Sequence, residues 1–181
     1  MRQCLKILVA AILSTIGGGP GEAQHHGGPQ PSTSHGQPYA GLQQRDVKAL
    51  SDTQLADLRA GRGIGLALAA ELNGYPGPMH ALELADALRL DPPQRQELQR
   101  QITAMRAEAI VAGERVIVAE AALDRAFAQR HITADALAAL TADAGAAQAA
   151  LRAAHLKYHL TTAALMTPEQ RDRYAVLRGY R

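Results

Sequence analysis

The chain has 181 residues, a length that suits one domain with one main core. Aromatics make up only 3% and Trp is absent, so the 47% apolar fraction comes mainly from Ala and Leu; these strong helix formers suit narrow helix–helix seams better than a globular pocket. A net charge of +2, with no basic stripe interleaved with aromatics, argues against a nucleic-acid partner.

Residues 1–23 read as a secretory signal peptide. Arg2 and Lys6 supply the positive region, Ile7 to Ile16 a short apolar run, and Gly21-Glu22-Ala23 a small-residue cleavage site. The apolar run is too short to span a bilayer. Cleavage after Ala23 takes Cys4 with the leader, so the mature chain has no cysteine and folds without disulfides. It also removes Arg2, Lys6 and Glu22, which lowers the net charge to about +1. The expected location is periplasmic, with no membrane span after cleavage.

Residues 24–50 are expected to be a disordered or irregular tail. Their first part is rich in Gly, Pro, Ser and His, including His25, His26 and His35. A mature start at Gln24-His25-His26 places an imidazole third, where it can join the amine and two amides around Cu(II) or Ni(II). His26 is therefore one candidate ligand, against the plainer reading of a soluble linker.

Residues 51–181 are expected to form an all-α domain. Ser51 and Gln54 make a capping box that opens a helix running to about Leu72. Gly61, Gly63 and Gly65 neither follow a strand nor open a helix, which rejects a phosphate loop. They predict a thin or bent helix that lets another backbone come close. The turn-rich Asn73 to Pro78 ends it. A short helix from about Met79 to Arg89 carries His80, Glu83 and Asp86 near one side.

The centre of the chain is a long antiparallel helical hairpin. Asp91 caps the first arm with Pro92 at its first position, and the arm runs to about Phe127. Leu98, Ile102, Met105, Ala109, Ala112, Val116, Ala119 and Leu123 alternate by four and three, a heptad seam. Ile110, Val111, Ile117 and Val118 widen the stripe and are expected to face a further helix or a partner. After a turn at Gln129 to Ile132, Thr133 caps the second arm. Its alanine-rich seam is Leu137, Leu140, Ala144, Ala147, Leu151, Ala154, Tyr158, Thr162 and Leu165. Thr167 caps a last helix, with Tyr174 and Leu177 as its apolar side.

His155 and His159 are four apart on the second arm, so both imidazoles point the same way and can share a metal. They are expected just beside the buried stripe, and the bland alternative is two half-exposed histidines. Packing of the shorter helices is expected to bring His80, Glu83, Met79 or Glu71 towards them. Leu156 stands where a zinc-protease motif needs Glu. With no Ser/His/Asp set, no cysteine nucleophile and no fixed carboxylate pair, no enzyme is expected.

The two arms are bracketed by Leu90-Asp91-Pro92-Pro93-Gln94 and Met166-Thr167-Pro168-Glu169-Gln170. With this twice-used apolar–cap–x–x–Gln motif, the chain from Met79 to Arg181 resembles the periplasmic Spy/CpxP family of refolding chaperones and stress regulators. It is also similar to the related CnrX-type heavy-metal sensors. Asp91 replaces the family's Thr and Met166 its Leu; Leu90, Thr167, Pro168 and the two glutamines keep the pattern. The resemblance implies a four-helix fold, often an antiparallel homodimer, that binds unfolded clients without ATP. Its sensor branch implies histidines before each motif, and His80 and the His155/His159 pair fall in those regions. The expected function is a periplasmic chaperone-like or envelope stress-response protein needing no cofactor. Its partners are then unfolded clients or a membrane-bound stress sensor. The alternatives are a metal sensor or resistance protein binding Zn, Ni, Co or Cu, and a helical adaptor for an envelope protein.

Overall fold

A computed structural model describes residues 38–181, so the expected signal peptide, the start of the expected tail and His25, His26 and His35 lie outside the described residues. The described part is all helix and turn. Its elements are α1 (Asp52–Arg59), α2 (Leu68–Glu71), α3 (Pro78–Glu83), α4 (Pro92–Ala128), α5 (Ala134–Leu165) and α6 (Pro168–Leu177), with a 3₁₀ turn at Leu42–Gln44 before α1. Among the described residues, no helix is long and apolar enough to cross a membrane.

The hairpin is α4 and α5, of 37 and 32 residues. Side-chain bonds between them fix an antiparallel register, because one partner's number falls as the other's rises. Gln94 reaches the Leu165 carbonyl, Gln101 accepts from Thr162, Tyr158 donates to Glu108, and Gln148 donates to Glu120. Leu151 of α5 shares one buried cluster with Ala109, Ala112 and Val116 of α4, and Ala144 is buried nearer the turn, so small residues let the two backbones run close.

All three capping boxes form. Ser51, Asp91 and Thr167 each accept from the backbone N–H three residues on, and Gln54, Gln94 and Gln170 each accept from the cap's own N–H. Thr133 caps α5 through the Ala136 N–H. The last two boxes also meet in space. Gln94 donates to Gln170 at 2.9 Å and Gln170 donates back at 3.1 Å. Each amide also donates to a carbonyl two residues before the other's cap: Gln94 to Leu165 at 3.0 Å and Gln170 to Arg89 at 3.5 Å. The two motifs are thus related by a local pseudo-twofold arrangement. Beside them, Arg171 donates to the Ala163 and Met166 carbonyls at the end of α5.

Two apolar clusters flank this frame. One joins α3, its following turn, α4 and α6 through Ala81, Leu88, Leu90, Leu98, Met166 and Tyr174. The other lies along mid-α4 and gathers Val47, Leu50, Leu55, Leu58, Val116, Ile117 and Leu151. Val47 and Leu50 are therefore core residues in the stretch expected to be tail.

The segment expected as one bent helix from Ser51 to Leu72 is broken instead. After α1 the chain turns through Gly61 (φ 67°), Ile64 (φ 31°) and Gly65 (φ 82°) before the single turn of α2. The expected close approach does occur. A Cβ on Gly61 would lie 2.8 Å from the Arg106 carbonyl, and one on Gly113 would lie 2.7 Å from the Leu58 carbonyl. The short helix is also trimmed, ending at Glu83 in a run of turns rather than at Arg89. On α6, Leu177 is exposed and Ala175 is buried beside Tyr174, which corrects the apolar side read from the sequence.

The paired amides are partly buried, so removing one leaves the other short of a partner. Gln94→Ala and Gln170→Ala are each expected to cost about 1–3 kcal/mol. The double variant is expected to cost less than the sum, by at least about 0.5 kcal/mol. Urea unfolding of all four proteins measures the coupling; strict additivity would show that the amides do not act as a pair.

Candidate functional site

The α5 helix places His155 and His159 one turn apart on one face. Both are 4% exposed, which corrects the expectation of half-exposed rings beside the seam. The cause is the broken segment after α1: its turns, α2 and the Tyr75–Pro78 loop fold over this face of α5. A Cβ on Gly63 would stand 3.3 Å from His155 Cδ2, and one on Gly77 would stand 2.8 Å from His159 Cε1. These glycines are needed for room against the imidazoles.

Each ring is held through Nδ1. His155 Nδ1 lies 3.1 Å from the Leu151 carbonyl, and His159 Nδ1 lies 2.8 Å from the Tyr75 carbonyl. A carbonyl only accepts, so Nδ1 carries the proton in both bonds, and in the neutral rings Nε2 is a bare lone pair. His155 Nε2 is the one buried side-chain polar atom without a hydrogen-bond partner among the described residues. Leaving such an atom unsatisfied costs about 1–3 kcal/mol.

Glu71 closes the arrangement. It is buried at the end of α2, accepts the Gly77 N–H at 3.1 Å and accepts the Tyr174 hydroxyl at 2.8 Å. Its carboxylate is 4.0 Å from His159 Nδ1, beyond hydrogen-bond range. This side chain ties α2, the loop before α3, and α6 to the histidine face. His80, the third expected ligand, lines the same cleft as the pair, but its Nδ1 is engaged 2.9 Å from Glu83 Oε2 on the partly exposed face of α3. Among the described residues no three His, Cys, Asp or Glu side chains converge as a metal cage.

The histidines open into a cleft of about 650 Å³. Its walls are Ile102 and Met105 of α4, Leu68, Met79 and the Gly61–Gly65 turns, with Arg106 and Arg178 also lining it. A second, shallower groove of about 830 Å³ runs between α4 and α5. It carries Ile110, Val111 and Val118, which are 38%, 57% and 57% exposed, together with Leu140, Ala147 and Ala150 of α5. Arg59, Glu114, Arg115 and Asp143 lie along it. Ile117, expected to share this contact face, is 6% exposed and joins the core with Val47, Leu50 and Leu55. The wide apolar stripe of α4 thus serves two masters: α1 and the preceding segment cover part of it, and the rest stays open.

Sequence reasoning missed Tyr174 as the partner of Glu71, and it missed Gly77 as the seat of His159. The only available signal for Gly77 was its position between Pro76 and Pro78, which marks a turn without saying what the turn covers. No family model, curated protein or solved structure matches the chain.

Two phenols are held neutral by this packing. Burial, and then the Glu71 carboxylate, push the Tyr174 hydroxyl well above the usual phenol range. Burial and Glu108 push Tyr158 up to about 12. A folded pKa above the unfolded value of about 10 means that stability is fully present below pH 10. It is lost as pH rises through about 10–12 and beyond, where the unfolded chain ionises first. Melting temperature followed from pH 8 to 12 should fall steeply in wild type and less steeply in Tyr158→Phe and Tyr174→Phe. An unchanged slope in both variants would show that these phenols do not govern alkaline unfolding.

Proposed function

We propose that this chain is a periplasmic, ATP-independent chaperone-like protein of the Spy/CpxP kind, which holds apolar segments of unfolding clients on the open face of its hairpin. The observation that supports this reading best is the groove with Ile110, Val111 and Val118 left uncovered on a long, otherwise well-capped helix. A contiguous apolar strip bordered by charges of both signs is the surface expected of a contact site for apolar chain. Arg59, Glu114, Arg115 and Asp143 suit clients of mixed charge. Purified protein should suppress aggregation of an unfolding client at near-stoichiometric amounts without nucleotide. Val111→Asp/Val118→Asp should weaken client binding by about tenfold, or about 1.4 kcal/mol, with little change in melting temperature because both sites are exposed. No suppression by wild type would sink the reading.

A second reading, a metal sensor or resistance protein, is favoured by the two bare Nε2 atoms on one turn of α5. Metal-ligating histidines commonly donate the other ring N–H to a carbonyl, as both do here. Titration with Zn, Ni, Co and Cu should give affinity that falls by at least about tenfold in His155→Ala/His159→Ala. Equal affinity in the two proteins would remove the pair as a site.

A further inference from the structure

Along α4, Ile110, Glu114, Val118 and Ala122 stand four apart and form one ridge, and this ridge lines the open groove. The next ridge is Gly113, Ile117 and Ala121, with Asp124 one turn beyond. It is covered, but by two pieces of unlike character. Gly113 lies under α1, where an added Cβ would stand 2.7 Å from the Leu58 carbonyl. Ile117 and Ala121 belong to the cluster that Val47 and Leu50 share, and Lys48 pairs with Asp124 at 3.3 Å. The cover at this end is therefore the segment 38–50, whose only regular element is the 3₁₀ turn.

The two covers are held very differently. At its end α1 is seated backbone to backbone on α4, and Arg106 Nε donates to the Ala60 carbonyl at 3.3 Å. In the segment 38–50 only Val47 and Leu50 are buried. Its hydrogen bonds close on itself: the Leu42 N–H donates to the Tyr39 carbonyl, the Leu50 N–H to the Val47 carbonyl, and the Arg45 guanidinium to the Lys48 carbonyl. Among the described residues, none joins it to α4 or α5. Its grip is two apolar side chains and one surface ion pair, and such pairs contribute little. Against that grip stands the backbone entropy of ordering about a dozen residues. A segment with so few buried contacts opens well below the free energy of global unfolding. Opening stops at Ser51, because Ser51 and Gln54 cap α1 by bonds between themselves and need nothing from the chain before them.

We infer that residues 38–50 are a tethered competitor of the client: a strap that peels from α4 as far as Ser51 and yields Ile117 and Ala121 to an incoming apolar segment, which then lies across both ridges. This inference rests on the client-binding reading and adds its regulation. The strap is itself a sample of what the ridge accepts, since Val47 and Leu50 are apolar residues three apart in non-helical chain. The two ridges adjoin, so lifting the strap widens the open groove without moving a helix. Only the fraction of molecules with the strap lifted offers the full surface, and apparent affinity is lowered by that fraction.

The test uses the full chain and a fluorescent, capped dodecapeptide of Ser with Val and Leu placed three apart, followed by anisotropy. Val47→Ser/Leu50→Ser should bind it about tenfold tighter than wild type, the gain expected when about a tenth of wild-type molecules have the strap lifted. Lys48→Glu, at an exposed site, should tighten binding about threefold at low salt. Lys48→Glu/Asp124→Lys should return to the wild-type value, a rescue that general loosening of the fold would not give. Access to the ridge is read in Ala121→Cys, with Cys4→Ser so that it is the sole thiol. It should react with a maleimide at least about tenfold faster when Val47→Ser/Leu50→Ser is added, and saturating peptide should slow it there. Should Val47→Ser/Leu50→Ser unfold, Lys48→Glu and its rescue decide the matter. Equal or weaker binding by Lys48→Glu with unchanged helix content overturns the strap, as does a thiol that the peptide fails to protect. Client aggregation suppressed as before then leaves the broader reading standing. Absence of peptide binding in all these proteins also overturns the strap, and loss of aggregation suppression with it removes both readings.

Discussion

The arrangement depends on the paired amides of Gln94 and Gln170. Each is already committed to its own helix cap, and each uses its remaining donors on the other motif and on a carbonyl that precedes the other's cap. A capping box alone fixes only where a helix begins. Two boxes that share an amide pair fix the start of α4 against the start of α6, and with it the end of α5. Bonds between buried polar groups are directional and costly to leave unmade, so this junction specifies register more sharply than an alanine seam can.

From that junction the site follows by packing. Bringing the two motifs together sets α3 beside α6 and buries Leu88, Leu90, Leu98, Met166 and Tyr174 in one cluster. Tyr174 is then aimed at Glu71, and Glu71 in turn holds the Gly77 N–H. That bond seats the Tyr75–Pro78 loop on His159. The candidate site is thus a consequence of the hairpin's anchored end, although neither motif contributes a side chain to the cleft wall.

Much of this frame was legible in the sequence. Caps are local: Ser, Asp or Thr followed three places on by Gln can be read without knowing the fold, and all three boxes form. The hairpin was legible because its apolar positions repeat along two long runs. The failures are all tertiary. Ile117 and Val118 are neighbours with the same chemistry, and only the placement of α1 and Val47 decides that the first is core and the second is open. The histidines were expected beside the seam and half-exposed; their burial comes from a glycine-rich turn folded over α5, and no periodicity encodes that. Of the three glycines expected to let another backbone come close, Gly61 does so against the Arg106 carbonyl, Gly63 meets the His155 ring instead, and a Cβ on Gly65 would meet nothing within 4 Å.

The hairpin is also unequal along its length, and this bears on how the groove is used. At the motif end, α3 and α6 cover it and polar networks cross it. In the middle, α1 covers one side of α4 through Leu55 and Leu58. Towards the turn at residues 129–133, α4 and α5 have little beyond each other: Phe127 and Leu137 are exposed, and the surviving tie to the preceding segment is the Lys48–Asp124 ion pair at 3.3 Å. A surface ion pair of this kind contributes little, so the turn end should open at lower free energy than the motif end. Ile110, Val111 and Val118 lie between these extremes. They sit on a helix held rigid at one side and free to adjust at the other. The uncovered strip thus lies between a looser end and a fixed end, and the fixed end holds the buried His155 Nε2.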